Sequence, residues 1–388
     1  MKGIKHMNFK ELGISNDLEN ILRKSGIKTP TPVQQNSISH ILNNKDIIAE
    51  AQTGTGKTLA FLLPIFENIS LNSNGIQALI ISPTRELALQ ITEEANKLST
   101  AKNIGVLSMY GGKDIGSQIK KLQGNIKLII ATPGRLLDHL ARKTINLSNL
   151  KTIVLDEADQ LLLMGFKNEI ESIMKETPRK KQTLCFSATM DSSVKKLAYR
   201  YMKDPISITI KKEEITLSNI KQEVVETTDR EKREALCKVL NEDNPFMAII
   251  FCRTKRRADE LEIVMHRRGY NCTVIHSDIQ QSKRERIMKS FRNADIQYLI
   301  ATDVAARGID ITGVTHIYNY DVPETPESYI HRIGRTGRAG EDGYTCMFVV
   351  PRHEGNFKKI EELLDYKIPE RNINITKYIE QLYNCSIY

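Results

Sequence analysis

The sequence lacks any apolar run of membrane-spanning length. Stretches such as Ile126 to Ala131 and Thr152 to Leu155 fall far short of the ~20 residues needed to cross a bilayer as a helix. The polar opening, Met1 to Lys10, has no apolar segment of the kind an export signal needs, so no secretion is expected. Cysteine is sparse and scattered: Cys185, Cys237, Cys252, Cys272, Cys346 and Cys385 form no Cys-x-x-Cys pair and have no histidine at zinc-finger spacing. Neither a disulfide scaffold nor a structural metal site is expected, and reduced thiols point to a cytoplasmic protein. There is no low-complexity tract and no short-period repeat.

What is present is ordinary soluble material in more than one domain's quantity. The 388 residues are 40% hydrophobic and 27% charged, with 21 glycines and 12 prolines. One hydrophobic core rarely grows beyond roughly 250–300 residues, so two domains are expected. The formal charge of +9 fits either a polyanionic partner or a generally basic surface. Short β-branched runs alternate with stretches of helical period, the pattern of βαβ units and parallel sheets. In the first half these runs are Ala78–Ser82, Ile104–Met109, Leu128–Ala131, Thr152–Leu155 and Thr183–Phe186. In the second they are Ala248–Phe251, Thr273–Ile275, Tyr298–Ala301, His316–Tyr320 and Thr345–Val350. The polar stretch from Lys211 to Ser218 lacks a committed period, which predicts a first domain over 1–210, a linker over 211–217 and a second domain over 218–388.

Three segments carry chemistry. Ala51-Gln-Thr-Gly-Thr-Gly-Lys-Thr58 follows the strand-like Asp46–Ala49 and opens a helical stretch, Leu59 to Asn68. Backbone N–H groups of such a turn can cradle phosphate at the positive end of the helix, with Lys57 on the β and γ phosphates and the Thr58 hydroxyl on Mg²⁺. Ala51 departs from the glycine that the strict pattern has there, and a flexible Gly-rich turn is the alternative. Thr152-Ile-Val-Leu-Asp-Glu-Ala-Asp159 is an apolar strand ending in carboxylates. Asp156 at its tip can hold Mg²⁺ and Glu157 can orient and deprotonate a water. His331-Arg-Ile-Gly-Arg-Thr-Gly-Arg-Ala-Gly340 repeats arginine every third residue, at Arg332, Arg335 and Arg338. It suits either charge stabilisation on a transferring phosphoryl group or a basic nucleic-acid-binding loop.

Taken together and in this order, the segments resemble those of the DEAD-box ATP-dependent RNA helicases. Asp156-Glu-Ala-Asp159 gives that family its name, and further matches are Gly26-Ile-Lys-Thr-Pro-Thr-Pro-Val-Gln34 with Phe9 upstream, Pro83-Thr-Arg-Glu-Leu-Ala88, Gly111-Gly112 and Thr132-Pro-Gly-Arg135. Ser187-Ala-Thr189, Gln281 with Arg284, and Ala301-Thr-Asp-Val-Ala-Ala-Arg-Gly-Ile-Asp310 follow. The resemblance implies two tandem RecA-like domains, each a mostly parallel sheet flanked by helices. It implies ATP held by Phe9, Gln34, Thr53, Gly54, Thr55, Gly56, Lys57, Thr58 and Asp310, with Gln34 pairing with adenine and Phe9 stacking on it. Catalysis falls to Lys57, Asp156, Glu157, Arg335 and Arg338, and Mg²⁺ to Thr58 and Asp156. RNA contact is implied for Thr84, Arg85, Gly112, Thr132, Gly134 and Arg135 in the first domain and Arg253, Gln281, Arg284 and Thr302 in the second. Asp159, Ser187, Thr189 and His331 would couple nucleotide state to domain closure.

The implied activity is RNA-dependent hydrolysis of ATP coupled to local opening of short duplexes or remodelling of RNA–protein complexes. The partner is RNA, single-stranded or a short duplex, contacted without reading sequence. A monomer with no membrane association is expected, and ribosomal or RNA-decay proteins are compatible partners. An ATP-gated RNA clamp and a DNA-directed helicase of the same architecture stay open as alternatives. Lys255-Arg-Arg257 and Arg267-Arg268 are read as a solvated helix face. Two departures bear on local geometry: Ser277 stands where the family commonly has glycine, and Leu163 replaces a frequent aspartate.

Overall fold

A computed structural model describes residues 7–52, 54–210, 219–306, 313–337 and 342–375. The expected linker at 211–217, Cys385 and the candidate residues Thr53, Asp310 and Arg338 lie outside the described residues. Two compact units divide the chain, Met1–Lys212 and Glu213–Tyr388.

In the first unit, apolar runs become the strands β1 (Ile47–Glu50), β2 (Ala78–Ile81), β3 (Gly105–Met109), β4 (Ile126–Ala131), β5 (Thr152–Leu155), β6 (Gln182–Ser187) and β7 (Ile206–Thr209). They form one parallel sheet in the order β3-β4-β2-β5-β6-β1-β7. Helices cover both faces, and alternate residues feed two apolar clusters. Ile80, Val154 and Leu184 enter one, while Leu79, Ile81, Ile153, Leu155 and Cys185 enter the other. Continuous burial on both faces explains why inner strands such as β2 and β5 read as unbroken apolar runs.

The strand order places β1 and β5 on either side of β6. The segments that follow these three strands therefore emerge side by side at the carboxyl edge, where open α/β sheets bind ligands. The helices that matter there are α1 (Asn16–Lys24), α2 (Pro32–Leu42), α3 (Lys57–Asn68), α4 (Arg85–Lys102), α5 (Ile115–Leu122), α6 (Pro133–Ala141) and α7 (Ala158–Leu163).

The second unit repeats the plan with β8 (Ile220–Glu226), β9 (Ala248–Cys252), β10 (Cys272–Ile275), β11 (Tyr298–Thr302), β12 (His316–Asn319) and β13 (Gly343–Val349). Its parallel sheet runs β10-β11-β9-β12-β13-β8. Edge strand β8 does not end bare: the Val224 N–H donates to Pro369 O and the Arg371 N–H to Val224 O. Cys185, Cys237, Cys252, Cys272 and Cys346 are free and buried. Among the described residues, no helix is long and apolar enough to cross a membrane.

Candidate active site

The phosphate-loop candidate turns sharply out of β1. Gly54 and Gly56 both have left-handed backbone, φ +83° and +91°, which glycine adopts without steric cost. At Gly56 a Cβ atom would stand 2.5 Å from Gln34 Nε2 and 2.9 Å from Thr31 Oγ1. Ala51 is not among the left-handed residues; its methyl joins the apolar core and its N–H donates to Ser187 O at 2.9 Å. The departure from glycine therefore costs nothing at that position. Gln34 is buried, accepts from the Thr31 N–H at 2.9 Å and donates from Nε2 to Gly56 O at 3.0 Å. Its amide thus ties the start of α2 to the end of the loop.

Gly56→Ala is expected to displace that amide and strain the loop by about 1–2 kcal/mol. Nucleotide affinity should fall roughly tenfold on that account, as read by titration with a fluorescent ATP analogue.

Lys57 opens α3 with its ammonium buried and without a hydrogen-bond acceptor. A buried ammonium without a hydrogen-bond acceptor is costly, and an anionic ligand would supply the acceptor. On the other side of β6, β5 delivers Asp156 and Glu157, 3% and 5% exposed. The Asp156 N–H donates to Ile81 O, and its Oδ1 accepts from the Glu157 N–H. Burial pushes the Asp156 carboxyl up to about 7; Lys57 pulls it down and the charge of Glu157 pushes it up. A cation at this carboxylate would hold it ionised. Thr58 and Asp156 could supply hard oxygens of the kind Mg²⁺ prefers, and Mg²⁺ commonly takes one or two protein carboxylates with the remainder from phosphate and water. Among the described residues there is no group of three or more His, Cys, Asp or Glu that could hold a metal by itself.

Asp159, Ser187 and Thr189, expected from the sequence to act in coupling, lie together. Asp159 Oδ2 accepts from both the Thr189 N–H and Thr189 Oγ1 at 3.2 Å, and the Asp159 N–H donates to Ser187 Oγ at 3.1 Å. His331 lies in the second unit, on the helix α14 (Pro326–Ile333). Phe9 corrects an expectation: its ring is wholly enclosed in the apolar core of the first unit. It offers no exposed face for a base to stack on.

The RNA candidates of the first unit also share one edge. Thr84 caps α4 through the Leu87 N–H, and the next residue, Arg85, lays its guanidinium 3.1 Å from the Cβ position of Gly111. Gly112 has φ +86°. Arg135 donates from Nη1 to Lys113 O at 3.0 Å, and the Thr132 N–H donates to Met109 O at 2.9 Å. Gly134 faces open space, where a Cβ would meet nothing.

In the second unit several expected contact groups turn inward. Gln281 and Arg284 are each 5% exposed; Arg284 donates to His276 O at 2.7 Å and Gln281 to Glu285 Oε1 at 3.3 Å. Their polar ends serve the fold, because a buried guanidinium must find acceptors there. Arg284 fixes the turn containing Ser277, which does not need left-handed backbone, so serine replaces glycine there without strain. Arg253 is half-buried and donates to Val322 O, with His353 Nε2 against its other Nη. Thr302 is buried at the end of β11.

In the arginine series, Arg332 is structural. It grips both oxygens of Asp303 at 2.6 and 2.7 Å and donates to Asn319 Oδ1 and Asp321 O. Arg335, nearly buried, donates from Nε to His331 O.

Family models match two segments, "DEAD/DEAH box helicase" over residues 31–197 and "Helicase conserved C-terminal domain" over 231–340. A DEAD-box ATP-dependent RNA helicase, CshA of Bacillus subtilis, is 48% identical over 362 residues, covering 93% of this chain and 73% of that one. The counterpart from Bacillus cereus is 47% identical over 93% of this chain and 69% of its own. Among solved structures, S. cerevisiae Dbp5 bound to RNA and ADP BeF3 aligns with a TM-score of 0.88 at 28% identity, over 98% of this chain and 99% of that one. Mss116p bound to ssRNA and AMP-PNP aligns at 0.86 and 31% identity, over 96% and 81%.

Proposed function

The chain belongs to the DEAD-box family of ATP-dependent RNA helicases, RNA-dependent ATPases built from RecA-like domains, and from that premise we propose how its own residues divide the work. The observation that carries the assignment is the buried Lys57 ammonium without an acceptor, set at the start of α3 directly after Gly54 and Gly56. ATP phosphates supply the missing acceptor, received by the loop N–H groups and the positive end of α3. Thr58 and Asp156 would hold Mg²⁺, which when bound neutralises charge on the phosphates. Glu157 orients the attacking water and takes its proton on a carboxylate oxygen. Arg335 and Arg338 spread the charge of the phosphoryl group in transfer.

Gln34 secures the loop through Gly56 and has a second N–H and a second lone pair left for a base edge. Thr84, Arg85, Gly112, Thr132, Gly134 and Arg135 form the RNA track of the first unit. They present backbone, hydroxyl and guanidinium groups, which suit phosphate and 2′-hydroxyl oxygens and carry no sequence information. Action as a monomer on RNA of no fixed sequence, with ribosomal or RNA-decay proteins as compatible partners, belongs to the same proposal. The free buried cysteines support work in a reducing compartment.

The test is ATP hydrolysis with matched single strands of RNA and DNA. RNA is expected to stimulate turnover strongly and DNA weakly, because the track depends on the 2′-hydroxyl. Equal stimulation would favour a DNA-directed enzyme.

A further inference from the structure

We infer that Gln118 and His139, two buried side chains without a role above, are positioning residues that set the shape of the turn Tyr110–Lys113 and thereby its affinity for RNA. The inference rests on the assignment of Gly112 and Arg135 to RNA contact.

The turn joins β3 to α5 and contains two successive glycines, one at φ +86°. Such a backbone has many conformations open to it, so its shape must be imposed by neighbours. One restraint comes from the surface, where Arg135 donates to Lys113 O at 3.0 Å. The other comes from inside: Gln118 of α5 donates from Nε2 to Tyr110 O at 3.2 Å. That donation fixes the amide, so its Oε1 faces His139 Nε2 at 2.9 Å. An amide oxygen only accepts, which makes Nε2 the protonated nitrogen of the imidazole. Nδ1 is then the acceptor, facing the Thr144 hydroxyl at 2.8 Å, whose single proton it shares with the His139 carbonyl at 3.1 Å. Burial disfavours the imidazolium form; Arg135 and Arg142 add to that effect and Asp138 opposes it. The neutral tautomer therefore stands at physiological pH.

The relay begins on α6, which starts within Thr132–Arg135, and ends on the carbonyl that opens the glycine turn. Two segments of the RNA track are thus held in register through the interior of the unit. His139 is 0% and Gln118 4% exposed, and leucine or methionine would fill such space without the desolvation that buried polar groups incur. What the polar pair adds is direction.

Two substitutions separate positioning from packing. His139→Gln keeps an N–H donor near the position of Nε2, whereas His139→Asn keeps a polar group only on the Thr144 side. RNA-stimulated ATPase is measured with RNA and with ATP as the varied ligand, alongside the thermal midpoint of each variant. His139→Asn is expected to raise KM for RNA roughly three- to tenfold, the factor one net hydrogen bond is worth, with kcat and KM for ATP unchanged. His139→Gln should restore most of that loss.

Gln118→Glu gives a second reading, since it keeps an acceptor for His139 but turns a carboxylate oxygen toward Tyr110 O; it should raise KM for RNA as His139→Asn does. Equal KM values for the Asn and Gln variants, or a fall in kcat that tracks the thermal midpoint, would overturn the relay. Arg135→Ala separates the two levels: no change in KM for RNA there refutes the RNA-track reading itself. A rise with Arg135→Ala and none with Gln118→Glu refutes only the relay.

Discussion

Glu157→Gln is expected to bind ATP and RNA as the parent does and to lose roughly 10²–10⁴-fold in ATP turnover, the range that a positioned general base supplies. The substitution keeps size and shape, so what it removes is the ability to take a proton from water. The backbone points the same way. Glu157 has φ 48° and ψ 53°, a left-handed conformation that costs a non-glycine residue roughly 1–2 kcal/mol. Glycine would avoid that cost, and an asparagine or aspartate would carry it more easily. A buried glutamate held there, between the wholly buried strand β5 and the start of α7, is strain retained where a carboxylate must be aimed. Single-turnover hydrolysis with saturating RNA is the measurement. Full RNA-stimulated turnover in the variant would remove Glu157 from the mechanism and leave the strain unexplained.

The parts of this site that could be read from sequence are those whose partners are near in the chain. Lys57, Gly54 and Gly56 sit in one loop, and Asp156 and Glu157 end one apolar strand, so local pattern is enough to propose a chemistry for each group. The strands within both sheets were legible for a related reason, being buried on two faces and hence apolar throughout. Strands β7 and β8 are not legible as apolar runs because each is an edge strand interrupted by polar residues. Ile206-Ser-Ile-Thr209 alternates apolar and polar residues, and Ile220-Lys-Gln-Glu-Val-Val-Glu226 carries four polar residues in seven; charge on an edge strand is normal.

Direction is what the sequence does not carry. Arg284 and Arg332 share the composition of surface RNA contacts, yet one serves the His276 carbonyl and the other Asp303, Asn319 and the Asp321 carbonyl. Gln118 and His139 are 21 residues apart on separate helices, a separation at which no helical or strand period links two side chains. Arg257, read as solvated, folds back onto Asp321.

That last contact leads to the largest stability effect in the second unit: Asp321→Ala is expected to destabilise it by about 3–5 kcal/mol, the cost of stranding a buried charge. Asp321 is almost fully buried. Its Oδ1 accepts from Lys232 Nζ at 3.2 Å, and its Oδ2 accepts from the Arg253 N–H and Arg257 Nε at 2.9 Å each. Lys232, on the helix α10 (Lys232–Asp243), is 0% exposed, with its ammonium 5.0 Å above the Tyr320 ring. Burial by itself would raise the Asp321 carboxyl, but Lys232, the Arg253 N–H and Arg257 outweigh it and hold the carboxyl below the usual aspartate range. The same burial holds the Lys232 ammonium below the usual lysine range against the pull of Asp321. The pair is therefore worth little as a whole, while either half alone is costly.

Two outcomes follow from that asymmetry. Lys232→Met placed on Asp321→Asn should recover most of the loss, because asparagine still accepts from the Arg253 N–H, methionine needs no partner, and Arg257 can reach water. The depressed carboxyl contributes stability above the unfolded aspartate value near pH 4 that disappears as pH falls through the lower folded value. The parent should thus lose stability in that acid window and the double variant much less. Hydrogen exchange in β9 and β12 reads the second unit separately from the first. If Asp321→Ala left that exchange unchanged, Lys232 would have to reach water without its partner, and the buried pair could not be what fixes the Arg253 backbone at the end of β9.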